Sequence, residues 1–150
     1  MTLLGVISDT HGLLRPEALD ALRGSDLIIH AGDVGKPEIL KRLREIAPVV
    51  AVRGNVDTAP WAEALPETQV VRVAGRSIFV LHDRSQFVAD PATASYAAVV
   101  FGHSHQALVE TRDGVLYLNP GSAGPRRFRI PSPSQGCAYR PSGLNRKLSN

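Results

Sequence analysis

The chain holds one cysteine, one methionine and one tryptophan among 150 residues. A single thiol, Cys137, excludes an intramolecular disulfide and suits a reducing compartment. Aromatic residues make up only 5% of the chain, and none forms a stacking platform among the C-terminal arginines. No apolar run approaches the roughly 18 residues that a membrane helix needs. The opening stretch, Met1 to Ile7, has no basic leader and no cleavage site, so it does not read as a signal peptide. The expected location is the cytoplasm, with no membrane partner.

What is present is ordinary for one globular domain: 43% hydrophobic and 21% charged residues. The charge is unevenly spread. Six of the 17 basic residues (Arg126, Arg127, Arg129, Arg140, Arg146, Lys147) lie after residue 125, where no Asp or Glu occurs. Residues 1–125 therefore carry 17 − 6 = 11 basic against 14 acidic side chains, a balance of −3. An acidic body offers no groove for a polyanion, so a nucleic-acid partner lacks support.

Residues 1–124 read as the folded domain. Residues 125–150 read as a basic tail rich in Pro and Gly that buries too little to order itself. Within the domain, Leu3–Ser8, Leu27–His30 and Val49–Val52 are strands. Between them come helices from Pro16 to Arg23 and from Pro37 to Ile46. That β-α-β-α-β order implies a parallel sheet. Later strands are expected at 69–73, 77–81, 97–101, 107–110 and 115–118, with turns at Ala74-Gly75 and Asp113-Gly114. The expected architecture is α/β: two mixed sheets packed face to face with helices outside.

Polar clusters follow the apolar runs: Asp9-Thr10-His11-Gly12, Gly32-Asp33, Gly54-Asn55, His82-Asp83, Gly102-His103-Ser104-His105 and Asn119-Pro120-Gly121-Ser122. Strand ends in such sheets are where reactive side chains gather. Asp9, His11, Asp33, Asn55, His82, His103 and His105 can converge there as metal ligands, and a carboxylate such as Asp33 can bridge two cations. Nitrogen and oxygen donors without thiolate suit Mn²⁺ best, with Fe, Zn²⁺ or Ni²⁺ as alternatives. Two such ions would clamp a phosphoester during in-line displacement.

The run Asp-x-His, Gly-Asp, Gly-Asn-x-Asp, His, Gly-His-x-His resembles the calcineurin-like metallophosphoesterase superfamily. Within it, the small bacterial and archaeal phosphodiesterases are most similar, a branch whose eukaryotic relatives include a retromer subunit. The resemblance implies a four-layer αββα sandwich and a hydroxide held between two metals that attacks phosphorus. It implies Asp9, His11, Asp33 and His105 around the first ion, and Asp33, Asn55, His82 and His103 around the second. Asp33, Asn55, Asp57 and His103 are the expected catalytic residues. The implied activity is phosphodiester hydrolysis; phosphomonoester hydrolysis and a non-catalytic binding scaffold are the alternatives. The oligomeric state is left open.

The chain departs from that pattern in two places. Val56 stands where many members carry His and the small bacterial forms often carry Cys, so leaving-group protonation lacks its usual side chain. Asp83 replaces a usual Gly and either supports a ligand imidazole or caps the turn. The segment 84–96 is too short for a cap, so an open site is expected. Arg53, Arg15 and Arg84 are candidate phosphate-steering cations. His30, inside an apolar strand, is expected to be a hydrogen-bonded core residue, and Trp61 a packing residue.

Overall fold

In the computed structural model, which describes residues 2–87, 96–122 and 124–130, strand and helix alternate through the first half of the chain. β1 (Thr2–Ile7), α1 (Pro16–Leu22), β2 (Leu27–His30), α2 (Pro37–Arg44) and β3 (Val49–Ala51) lie close to the boundaries expected from the sequence. Each helix opens on a proline, whose fixed φ and missing N–H suit the first turn. In α2 the apolar residues Ile39, Leu40 and Leu43 are buried together, and Lys41, Arg42 and Arg44 occupy the last turn, where the helix dipole favours cations.

The second half is mostly strand: β4 (Thr68–Val73), β5 (Arg76–Leu81), β6 (Tyr96–Val100), β7 (Leu108–Arg112), β8 (Val115–Asn119) and β9 (Arg126–Ile130). One sheet runs β3-β2-β1-β9 and the other β4-β5-β6-β8-β7. Each mixes parallel and antiparallel pairs, as the sequence led one to expect.

Period-two alternation gives each sheet two faces. Leu4, Val6 and Ile29 of the first sheet meet Ile78, Val80, Val100 and Leu118 of the second in one buried cluster. On the other face of the first sheet, Ile7 and Ile28 pack against Leu19 and Leu22 of α1 and Leu40 and Leu43 of α2. Trp61 and Leu65 pack against that layer, so Trp61 is a packing residue. The outer face of the second sheet carries Leu81, Val99, Phe101 and Tyr117, with Phe87 packed on it.

The tail needs correcting at its start. Residues 126–130 are not irregular but pair antiparallel along β1, with Leu4 opposite Phe128. The physical reason is the free edge of β1, which lets Phe128 and Ile130 fill the inter-sheet core at 1% and 0% exposure. Arg127 and Arg129 take the alternate face. The rest of the expected tail, including Cys137, lies outside the described residues.

His30 is fully buried. Its Nδ1 accepts the N–H of Gly32 at 3.1 Å, so the ring proton sits on Nε2, 3.0 Å from the Thr10 hydroxyl. That hydroxyl donates onward to the Val34 carbonyl at 2.8 Å. The chain of bonds ties β2 to the two loops that follow β1 and β2, and it uses a neutral imidazole. Burial lowers the His30 pKa from 6.5 to about 4. The unfolded chain therefore binds a proton that the folded chain refuses over this interval. The contribution is intact above pH 6.5 and is lost as the pH falls from 6.5 towards 4, by about 3 kcal/mol in all. Denaturant melts at stepped pH should show that His30→Gln loses stability more gently than the parent over this interval. Parallel pH profiles would contradict that assignment.

Candidate metal centre

Backbone hydrogen bonds carry the order of the sheets into the loops at their ends. The N–H groups of Asp9, His11 and Gly12 donate to the carbonyls of Gly32, Asp33 and Val34 at 2.9, 2.9 and 2.8 Å. Gly102 N–H donates to the His82 carbonyl at 3.0 Å. The Asp-x-His loop is thus zipped to the Gly-Asp loop, and the His-x-His loop to the end of β5.

The loops are bent in an uncommon way. Asp9, His11, Asp33, His103 and His105 all have positive φ, between 49° and 72°. The other non-glycine residues of this kind among those described, Ala74 and Asp113, sit in hairpin turns. Left-handed backbone at a non-glycine residue costs energy and persists where the surroundings enforce it. Two close approaches show how tight they are. A Cβ on Gly102 would lie 1.9 Å from Ser8 Oγ and 2.5 Å from Asp9 Oδ2, and one on Gly54 would lie 2.1 Å from the Asp33 nitrogen.

These bends bring Asp9, His11, Asp33 and His105 together, each offering one ligand atom, all within 4.8 Å of one another. His105 Nε2 lies 3.3 Å from Asp9 Oδ1, and His11 Nε2 lies 3.7 Å from Asp33 Oδ2. His82 Nε2 also approaches Asp33, 3.2 Å from the same Oδ2. The His103 ring stands nearly perpendicular to that of His82, with centroids 5.2 Å apart. Asn55 is exposed on the turn after β3, flanked by Gly54 against Asp33 and by Val56, whose N–H donates to Asp33 Oδ1 at 3.0 Å.

The protonation pattern says what belongs between these groups. His82 Nδ1 lies 2.7 Å from the Ala31 carbonyl, which can only accept, so this nitrogen carries the ring proton. In the neutral ring Nε2 is then a bare lone pair. It and Asp9 Oδ1 are buried polar atoms with no hydrogen-bond partner. A buried ring nitrogen facing carboxylate oxygens is unfavourable unless a proton or a metal cation joins them. Nitrogen and carboxylate donors with the far ring nitrogen tied to a carbonyl fit a divalent metal.

Behind these donors stand residues that hold them. Ser8 Oγ donates to Asp9 Oδ2, which also accepts the His103 N–H at 3.1 Å. Asn119 Nδ2 donates to the Gly102 carbonyl and to Ser104 Oγ, both at 3.1 Å, while its Oδ1 accepts the Gly121 N–H at 2.8 Å. Ser8 and Thr10 escaped the sequence reading; their only sign there is their position beside Asp9. The carboxylate of Asp57 accepts the N–H groups of Val34, Gly35 and Gly54 at 3.1, 3.0 and 2.9 Å. With both oxygens so engaged and the residue 3% exposed, Asp57 fastens two loops together.

The expected phosphate-steering cations divide. Arg53 pairs with Glu67 at 3.2 Å. Asp83 caps a turn, its Oδ1 accepting from Ser85 N–H and Oγ at 3.0 and 2.8 Å, and those bonds lower its pKa. Arg15 lines a groove of about 580 Å³ beside Asp9, with Leu13, Leu14, Ala18 and Ser122. Arg84 lines a second hollow of about 260 Å³ beside His103.

Residues 2–138 match the calcineurin-like phosphoesterase superfamily domain. The chain is 34% identical over 142 residues to a probable metallophosphoesterase of Methanothermobacter thermautotrophicus, covering 87% of this chain and 82% of that protein. It is 31% identical over 145 residues to the phosphodiesterase YfcE of Escherichia coli K12, covering 77% of this chain and 76% of that one. The fold matches the crystal structure of Vps29 from Chaetomium thermophilum with a TM-score of 0.72 at 20% identity, over 87% of this chain and 82% of the other.

Removing the Asp57 carboxylate would leave three backbone N–H groups without acceptors. Asp57→Ala should cost about 3 kcal/mol of stability in urea melts. A change below about 0.5 kcal/mol would show that these amides find other partners.

Proposed function

The chain belongs to the calcineurin-like phosphoesterase superfamily, and we propose that it hydrolyses phosphodiesters with the help of two divalent metal ions. The observation that carries this reading is the pair of buried, unpartnered donors, Asp9 Oδ1 and His82 Nε2, 3.9 Å apart beside Asp33. Asp9, His11, Asp33 and His105 hold the first ion. Asp33 extends to the second, which Asn55, His82 and His103 complete. Bound there, the ions supply Lewis-acid polarisation of the phosphoryl oxygens and a nucleophile at neutral pH. The mixed nitrogen and oxygen donors favour Mn²⁺, with Fe, Zn²⁺ or Ni²⁺ able to substitute.

The protein's own side chains orient these events. The bond from His82 Nδ1 to the Ala31 carbonyl keeps Nε2 free and fixes the ring plane. Ser8 and the His103 N–H hold one oxygen of Asp9, leaving the other for the ion. Hollows beside both Asp9 and His103 give a diester room for two substituents, whereas a monoester has one. Val56, 49% exposed, has no proton to give. The departing oxygen then leaves as an anion, which favours aryl or other weakly basic leaving groups. A chain with one cysteine suits the reducing cytoplasm; among the described residues no helix is long and apolar enough to cross a membrane.

Metal-stripped protein should be inactive on bis(4-nitrophenyl) phosphate and regain turnover with Mn²⁺, at a rate above that on 4-nitrophenyl phosphate. Asp33→Asn should lose at least about a hundredfold, since even residues behind the ligands cost about 10–100-fold. No turnover despite two bound metals per chain would favour use of the fold as a binding scaffold. A second test concerns the leaving group. Val56→His should raise hydrolysis of an alkyl-leaving diester by about tenfold or more, with little gain on bis(4-nitrophenyl) phosphate. Equal gains on both substrates would show that position 56 does not act on the leaving group.

A further inference from the structure

The two acidic residues of the centre each show one oxygen to the imidazoles and turn the other into the protein. Asp9 Oδ1 faces the Nε2 atoms of His105, His11 and His82 at 3.3, 3.8 and 3.9 Å. Asp9 Oδ2 instead accepts from the Ser8 hydroxyl and from the His103 N–H. Asp33 is divided in the same way. Its Oδ2 faces His82 and His11 at 3.2 and 3.7 Å, while Oδ1 accepts the Val56 N–H at 3.0 Å. Each turned-away oxygen also lies against a glycine: a Cβ would come within 2.5 Å of it at Gly102 and within 2.2 Å at Gly54.

Of the groups that hold these oxygens, only Ser8 uses a side chain. A carboxylate can only accept, so the Ser8 hydroxyl gives it its single proton. Ser8 is buried and directly follows β1, which is paired by β2 on one side and β9 on the other. The hydroxyl is therefore fixed by the sheet. With Ser8 and the His103 amide both on Oδ2, Asp9 has one oxygen left for an ion.

We propose that Ser8 is a positioning residue that sets the metal selectivity of the centre: it keeps Asp9 a one-oxygen ligand and so disfavours Ca²⁺. This rests on the metal-centre reading and narrows which ions it takes. Ca²⁺ gathers about six to eight oxygens, often two from one carboxylate. Asp9, His11, Asp33 and His105 present one ligand atom each, two oxygens and two nitrogens. That set suits a transition-metal ion that accepts imidazole. Were the turned-away oxygens free, the same carboxylates could each chelate, as Ca²⁺ prefers. The restraint on Asp33 comes from backbone, whereas that on Asp9 depends in part on one hydroxyl.

The test displaces Mn²⁺ from the loaded full chain with Ca²⁺, in the parent and in Ser8→Ala, and reads the released Mn²⁺ by electron paramagnetic resonance. Losing a residue that orients a ligand weakens metal binding about 10–100-fold, and Ca²⁺ regains an oxygen of Asp9 that Mn²⁺ does not need. The ratio of Mn²⁺ to Ca²⁺ affinity should therefore fall at least about tenfold in Ser8→Ala. A purely structural role for Ser8 would lower the melting temperature and leave this ratio alone. A ratio within about twofold of the parent overturns the proposal and leaves the metal centre standing. A parent that retains no Mn²⁺ at saturation overturns the metal-centre reading and the proposal together. If Ser8→Ala does not fold, parent crystals grown with Mn²⁺ decide. Asp9 meeting the ion through Oδ1 alone, with Oδ2 still on Ser8, upholds the proposal, and both oxygens on the ion overturn it.

Discussion

A buried ring nitrogen and a buried carboxylate oxygen that face each other at 3.2 Å set the terms for this structure. His82 donates its Nδ1–H to the Ala31 carbonyl, and its other nitrogen lies 3.2 Å from an oxygen of Asp33 and 3.9 Å from one of Asp9. All three residues are buried. Charge and lone pairs withdrawn from water must be compensated, and in the proposed function a cation compensates them. The surrounding residues act to keep these donors apart and aimed rather than letting them find hydrogen bonds of their own.

That explains the unusual backbone. Five site residues take left-handed conformations, each of which costs about 1–3 kcal/mol. The opposing terms are the ladder between the loops after β1 and β2, the Asn119 side chain under the His-x-His loop, and the Asp57 carboxylate across three amides. These supports stand on strands whose two faces are both packed, so little of the scaffold can relax.

The sequence revealed much of the frame because its punctuation is local. Alternation with flanking proline and glycine located β1 to β8 and both helices, and the polar residues after each apolar run marked the candidate ligands. His30 was legible as a core residue from its apolar neighbours. β9 was not, because three alternating residues mean little until β1 is known to have a free edge. Positive φ at Asp and His leaves no compositional trace of the kind glycine leaves. Asp57 stood out as a site residue because it follows Gly-Asn. Its true partners at Val34 and Gly35 lie more than 20 residues back in the chain, where no short motif can show them. Arg53 could be read either way until Glu67 was seen beside it.

The requirement for cations between these donors is tested most directly by anomalous diffraction from crystals grown with Mn²⁺. Two peaks about 3.5–4 Å apart are predicted, one against Asp9, His11 and His105 and the other against Asn55, His82 and His103, with Asp33 touching both. An empty site at saturating Mn²⁺, with the His82 ring turned so that Nε2 finds a hydrogen bond within the protein, would contradict it.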